Sequence, residues 1–159
     1  MIGAFATIAR SENVQIAVQV VEPVVYGDRV QVQISYTNAG DKLIHYSKAD
    51  GIAIAGVSVT NSQEKRIDLT IFGKSIRNSL VTRRRGISEV LRPNESADVL
   101  IGLNLYYDMT VPDDYRVVVK RGYTFVEDGK PRHVEMEPVT LDISYRPKEP
   151  PELGAAKQP

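Results

Sequence analysis

Arg29-Val-Gln-Val-Gln-Ile-Ser-Tyr-Thr37 is the stretch that decides the fold. Val30, Val32, Ile34 and Tyr36 alternate with Gln31, Gln33, Ser35 and Thr37. Successive side chains of a strand point to opposite faces, so this spacing gives one buried face and one wet face. Upstream, Val14, Ile16, Val18 and Val20 repeat the pattern. Downstream it returns at Val57 and Val59, at Ile67, Leu69 and Ile71, and at Ala97, Val99, Ile101, Leu103 and Leu105. Tyr115, Val117 and Val119 follow, and Val139, Leu141, Ile143 and Tyr145 close the series.

Between these runs lie turn sequences. Asn38-Ala-Gly-Asp-Lys42, Asn61-Ser-Gln-Glu-Lys65, Pro93-Asn-Glu-Ser96 and Glu127-Asp-Gly-Lys130 supply the Asn, Asp, Gly and Pro that tight turns use. Gly73 to Arg92 shows no period, and no convincing helix is visible anywhere. Seven to nine strands spaced roughly 8–12 residues apart predict an all-β antiparallel sandwich. Residues 1–13 read as an N-terminal extension and 14–146 as the sandwich. Residues 147–159, rich in Pro and without a period, read as a disordered tail.

Composition agrees and excludes much else. The 159 residues hold 20 Val and 13 Ile against 9 Leu, and branched Cβ atoms suit a pleated surface. There is no Cys, so disulfide scaffolds, thiolate zinc sites and thiol nucleophiles are excluded. Twenty basic and 20 acidic residues give zero net charge, which argues against a nucleic-acid binder. No apolar run approaches a membrane span of roughly 18 residues. Met1 to Ile8 is mildly apolar but lacks a basic start. The expected location is the cell envelope or outside the cell if a leader was removed, and the cytoplasm otherwise. Oligomeric state is left open.

Three segments carry a resemblance. Tyr107-Asp-Met-Thr-Val-Pro-Asp-Asp-Tyr-Arg-Val-Val-Val119 opens a strand with Tyr directly after a Pro/Asp loop. This resembles the tyrosine corner of immunoglobulin-like sandwiches, in which the phenol bonds backwards to the loop backbone. Tyr115 takes that position. Leu91-Arg-Pro-Asn-Glu-Ser96 resembles the L-x-P-G-E-S turn of bacterial Ig-like domains, with Asn94 where Gly is usual. Asn38, in Ile34-Ser-Tyr-Thr-Asn-Ala-Gly40, resembles the end of their second strand. The pattern is similar to single Ig-like domains of uncharacterised bacterial envelope proteins, and more weakly to bacterial intracellular proteinase inhibitors. The resemblance implies an immunoglobulin-like sandwich; that fold hosts many functions.

The chemistry-bearing residues are few. His45 and His133 lack metal-ligand spacing, and no metal or other cofactor is expected. There is no G-x-S-x-G elbow, and Asp113 and Asp114 point apart on an extended chain, so no enzyme is expected. Arg83-Arg84-Arg85 is the sharpest local feature. It reads first as a solvated loop, and functionally as an anion patch to which Arg77 and Arg92 add. The expected function is a non-catalytic interaction or accessory module that binds protein or acidic glycan through loops or a sheet edge. The alternative is a proteinase-inhibitor-like domain acting through the loop around Arg83–Arg85.

Overall fold

The alternation around Ile34 builds the centre of the first sheet. In the computed structural model, which describes residues 7–21, 23–47, 56–82 and 88–147, strand β3 (Gln31–Asn38) lies between β2 (Val14–Val20) and β7 (Ser96–Gly102). Val18 and Val99 both pair with Ile34 in antiparallel register. The inward side chains Val14, Ile16, Val18, Val32, Ile34 and Tyr36 are buried. Each such aliphatic side chain contributes roughly 1.5–3 kcal/mol on burial. Within the stretch read from sequence as an extension, Thr7–Arg10 form a strand of their own. β1 (Thr7–Arg10) pairs with β2 and completes the order β1-β2-β3-β7.

The facing layer holds β4 (Ile44–Ser47), β5 (Val57–Thr60), β6 (Ser88–Leu91), β8 (Asp113–Val119), β9 (Gly122–Glu127), β10 (Lys130–Glu135) and β11 (Val139–Tyr145). They form two small antiparallel sheets, β11-β8-β5 and β10-β9-β4-β6. The break has a local cause. Val119 pairs with Val139 and Gly122 with Glu135, so Lys120 and Arg121 stand opposite Met136, Glu137 and Pro138. That one extra residue is a bulge, and Pro138 has no N–H for the ladder. The Met136 N–H, donating to the Arg121 carbonyl at 2.8 Å, spans the gap. Val59, Val117, Leu141, Ile44 and Tyr123 join the first sheet's inward residues in one core. The fold is an all-β antiparallel sandwich. The described residues form eleven strands rather than seven to nine, because long strands are interrupted and β1 is added.

Two helices depart from the sequence expectation. Ile67, Leu69 and Ile71 do not form a strand: Ile71 begins α1 (Ile71–Thr82) and is 89% exposed. Thr70 caps this helix, its Oγ1 accepting the Gly73 N–H at 3.0 Å. The hydroxyl donates in turn to the Leu105 carbonyl at 2.7 Å. Gly73 is buried against the second helix, α2 (Leu103–Tyr106), where a Cβ would lie 2.3 Å from the Tyr106 carbonyl oxygen. Leu103, expected inside a nine-residue strand, instead opens α2 and is buried there. The adjoining Asn104 holds the β2–β3 turn, accepting from the Val30 N–H at 3.1 Å and donating to the Asp28 carbonyl at 2.7 Å. Among the described residues, no helix is long and apolar enough to cross a membrane.

Candidate functional site

Arg83–Arg85, proposed from sequence as the anion patch or inhibitory loop, lie outside the described residues. The other two members of that set are described, and they sit on different elements. Arg92 belongs to the turn before β7, where its N–H donates to Glu95 Oε2 at 2.8 Å and its guanidinium lies 3.7 Å from Glu95 Oε1. Asn94 in that turn adopts φ +65°, the left-handed region that Asn tolerates better than most residues. Arg77 lies on α1, half-buried, and lines a pocket of about 460 Å³ with Arg66, Lys74 and Asn78.

That pocket is built by local structure. The Asn61 side chain accepts the N–H groups of Gln63 and Lys65 at 3.1 and 2.9 Å, which folds the turn back. Arg66 then bridges to Thr60, and the Ile67 N–H donates to the Val59 carbonyl at 2.9 Å. Opposite, Lys74 and Arg77 are three apart on α1 and so face the same groove. Leu69 and Tyr107 form the floor, and the Tyr107 hydroxyl donates to the Val57 carbonyl. Burial pushes the Tyr107 phenol above its ordinary pKa, while Arg77, Arg66 and Arg121 act the other way. Asp68 also lines the pocket. Among the described residues, Arg66, Lys74 and Arg77 have no carboxylate at salt-bridge distance. Sequence reading found Arg77 and missed Arg66 and Lys74. The signal for Lys74 was a helix that looked irregular: Phe72, Ile76 and Leu80 recur at four-residue spacing.

A half-buried cation elsewhere was also missed. Arg121 continues the inward parity of Val117 and Val119 and lies at the bulge between the two small sheets. Burial lowers its pKa, and the phenols of Tyr36 and Tyr107 act to raise it. A pocket of about 530 Å³ opens there, lined by Arg121, Tyr36, Gly56, His133, Glu135 and Met136 among others. Gly56 permits this approach: a Cβ would fall 2.1 Å from the Lys120 carbonyl oxygen.

The two histidines share the outer face of the β10-β9-β4-β6 sheet. His45 and His133 both pair with Thr124, from opposite sides. His133 Nδ1 lies 3.2 Å from Thr124 Oγ1. Among the described residues, no cluster of three or more His, Asp or Glu side chains could hold a metal ion. Tyr115, on β8, is buried, and its hydroxyl donates to the Val111 carbonyl four residues back. Beside it the Tyr145 hydroxyl accepts the Gly27 N–H at 2.9 Å and donates to the Asp28 carbonyl at 3.2 Å, which pins the loops at this end.

No family model matches the sequence, and no curated protein matches it. Among solved structures, the Northeast Structural Genomics Consortium target SoR45 is similar at 12% identity, over 80% of this chain and 83% of that chain, with a TM-score of 0.32.

Proposed function

We propose that this chain is a non-catalytic binding module that engages an acidic partner, protein or glycan, at the pocket between α1 and the 66–69 segment. One observation carries the reading: Arg66, Lys74 and Arg77 converge on that pocket without an ion pair among the described residues. Like charges held together repel one another, and a surface that retains them attracts and orients anions. Guanidinium groups offer paired N–H donors to carboxylate or sulfate, and the lysine adds a point charge. Arg83–Arg85 follow α1 directly in the sequence, so basic residues are dense in this part of the chain.

Retention on immobilised heparin and on immobilised poly-L-glutamate, at low and rising salt, tests this. The wild type should be retained on at least one matrix and released by salt, because exposed charge interactions are screened. The Arg66→Ala/Arg77→Ala variant should elute at clearly lower salt. Co-elution of variant and wild type on both matrices would reject the pocket as the site.

A further inference from the structure

We infer that the partner is an acidic protein segment carrying an apolar residue beside its carboxylates; this rests on the cationic-pocket reading above. The pocket is not uniformly cationic. Asp68 stands among Arg66, Lys74 and Arg77, and its carboxylate can only accept hydrogen bonds when ionised. Asp68 repels the acidic groups of any partner, so the partner must also offer it a hydrogen-bond donor. An extended protein segment brings carboxylates for the three cations and backbone N–H donors for Asp68.

The rim supplies the second part of the match. Ile71 is 89% exposed at the start of α1. Ile71, Lys74 and Asn78 have spacings of three and seven, so they lie along one helix face. Lys74 and Asn78 both line the pocket, so the exposed isoleucine flanks its cations. The half-buried Ile67 adds apolar surface to the pocket beside the buried Leu69 of its floor. A ligand that covers this rim needs an aliphatic or aromatic group within one or two residues of its charge. Protein segments meet that requirement; simple acidic sugars do not.

Two fluorescent peptides of equal length and charge test the inference, one alternating Glu with Leu and one alternating Glu with Ser. The Glu/Leu peptide should bind roughly tenfold more tightly, which is the scale expected from covering one exposed isoleucine. Ile71→Ser should abolish that advantage without changing the thermal melt, because the side chain has almost no contacts to lose. If both peptides bind equally and Arg66→Ala weakens both, the cationic pocket stands and the apolar part falls. If neither peptide binds while heparin retention still depends on Arg66, the partner is a glycan and the inference is overturned. Ile71-dependent binding to phosphatidylserine vesicles, with no peptide binding, would overturn it in favour of a membrane surface.

Discussion

The Asn38 side-chain amide donates to the Leu91 carbonyl at 3.1 Å, tying the end of β3 to the end of β6 in the facing layer. The same amide donates to the Lys42 carbonyl at 2.8 Å, and Asn38 Oδ1 accepts the Gly40 N–H at 3.1 Å. Its backbone is engaged too, donating to the Glu95 carbonyl and accepting from the Asn94 N–H. Asn38 is 0% exposed, the buried polar residue among those described. Asn38→Ala strands two carbonyls at or near the core, and should cost about 3 kcal/mol in urea unfolding. Asn38→Asp puts acceptor against acceptor. It should lose at least as much at neutral pH and recover part of the loss in acid, where a protonated carboxyl can donate.

Tyr115 and Val111 make a comparable link across the β7–β8 connection. Tyr115→Phe keeps the ring in the core and removes only the hydroxyl bond. Urea midpoints should fall by the equivalent of about 1.5 kcal/mol, with no change in peptide binding. A change in binding without a change in stability would assign Tyr115 a role other than pinning the loop.

Gly73 sets two effects against each other. Helix propensity alone predicts that Gly73→Ala stabilises by about 1 kcal/mol. The 2.3 Å approach to the Tyr106 carbonyl predicts the opposite, since backbone cannot rotate away, and overpacking costs about 1–3 kcal/mol. We expect the clash to win. The variant should melt earlier, exchange α1 amides faster and bind the Glu/Leu peptide more weakly, because Lys74 and Arg77 ride on the displaced helix.

The pH dependence follows from the buried phenols and the paired carboxylates. Burial raises the pKa of Tyr36, Tyr46, Tyr107 and Tyr115 above 10.0. The unfolded chain then ionises first, so stability should fall as pH climbs past 10. Hydrogen bonds lower two carboxylates: Asp113 through Ser62 and the Asp114 N–H, and Glu127 through Lys42. Their contribution is present above the ordinary values of 3.8 and 4.5 and is lost as pH falls through the lowered ones. Carboxyl titration by NMR should show Asp113 moving back toward 3.8 in Ser62→Ala.

Much of this architecture is legible from local pattern. Period-two runs such as Val30 to Tyr36 identify strands and their buried faces, because a one-residue slip would expose every apolar side chain. The turns are legible where residue chemistry fixes the backbone: Asp128 and Gly129 take φ +51° and +73°, and Asn94 takes +65°. The helix is not legible from Ile67, Leu69 and Ile71, whose alternation imitates a strand. Thr70 ends it by capping α1, a side-chain event invisible to periodicity. The bulge at Arg121 is hidden as well, since the extra residue lies on the opposite strand while Val117, Val119, Arg121 and Tyr123 keep perfect alternation. Arg77 was found by its nearness to the basic run. Arg66 and Lys74 were not, because only folding brings a hairpin return and a helix to one pocket.

The most direct test of the central claim is the salt dependence of poly-L-glutamate binding, measured by fluorescence anisotropy for wild type and Arg66→Ala/Arg77→Ala. Wild-type affinity should fall steeply with salt. The double variant should bind about tenfold more weakly at low salt and show a shallower slope, having fewer cations to screen. Superimposable isotherms and slopes for the two proteins would contradict the account.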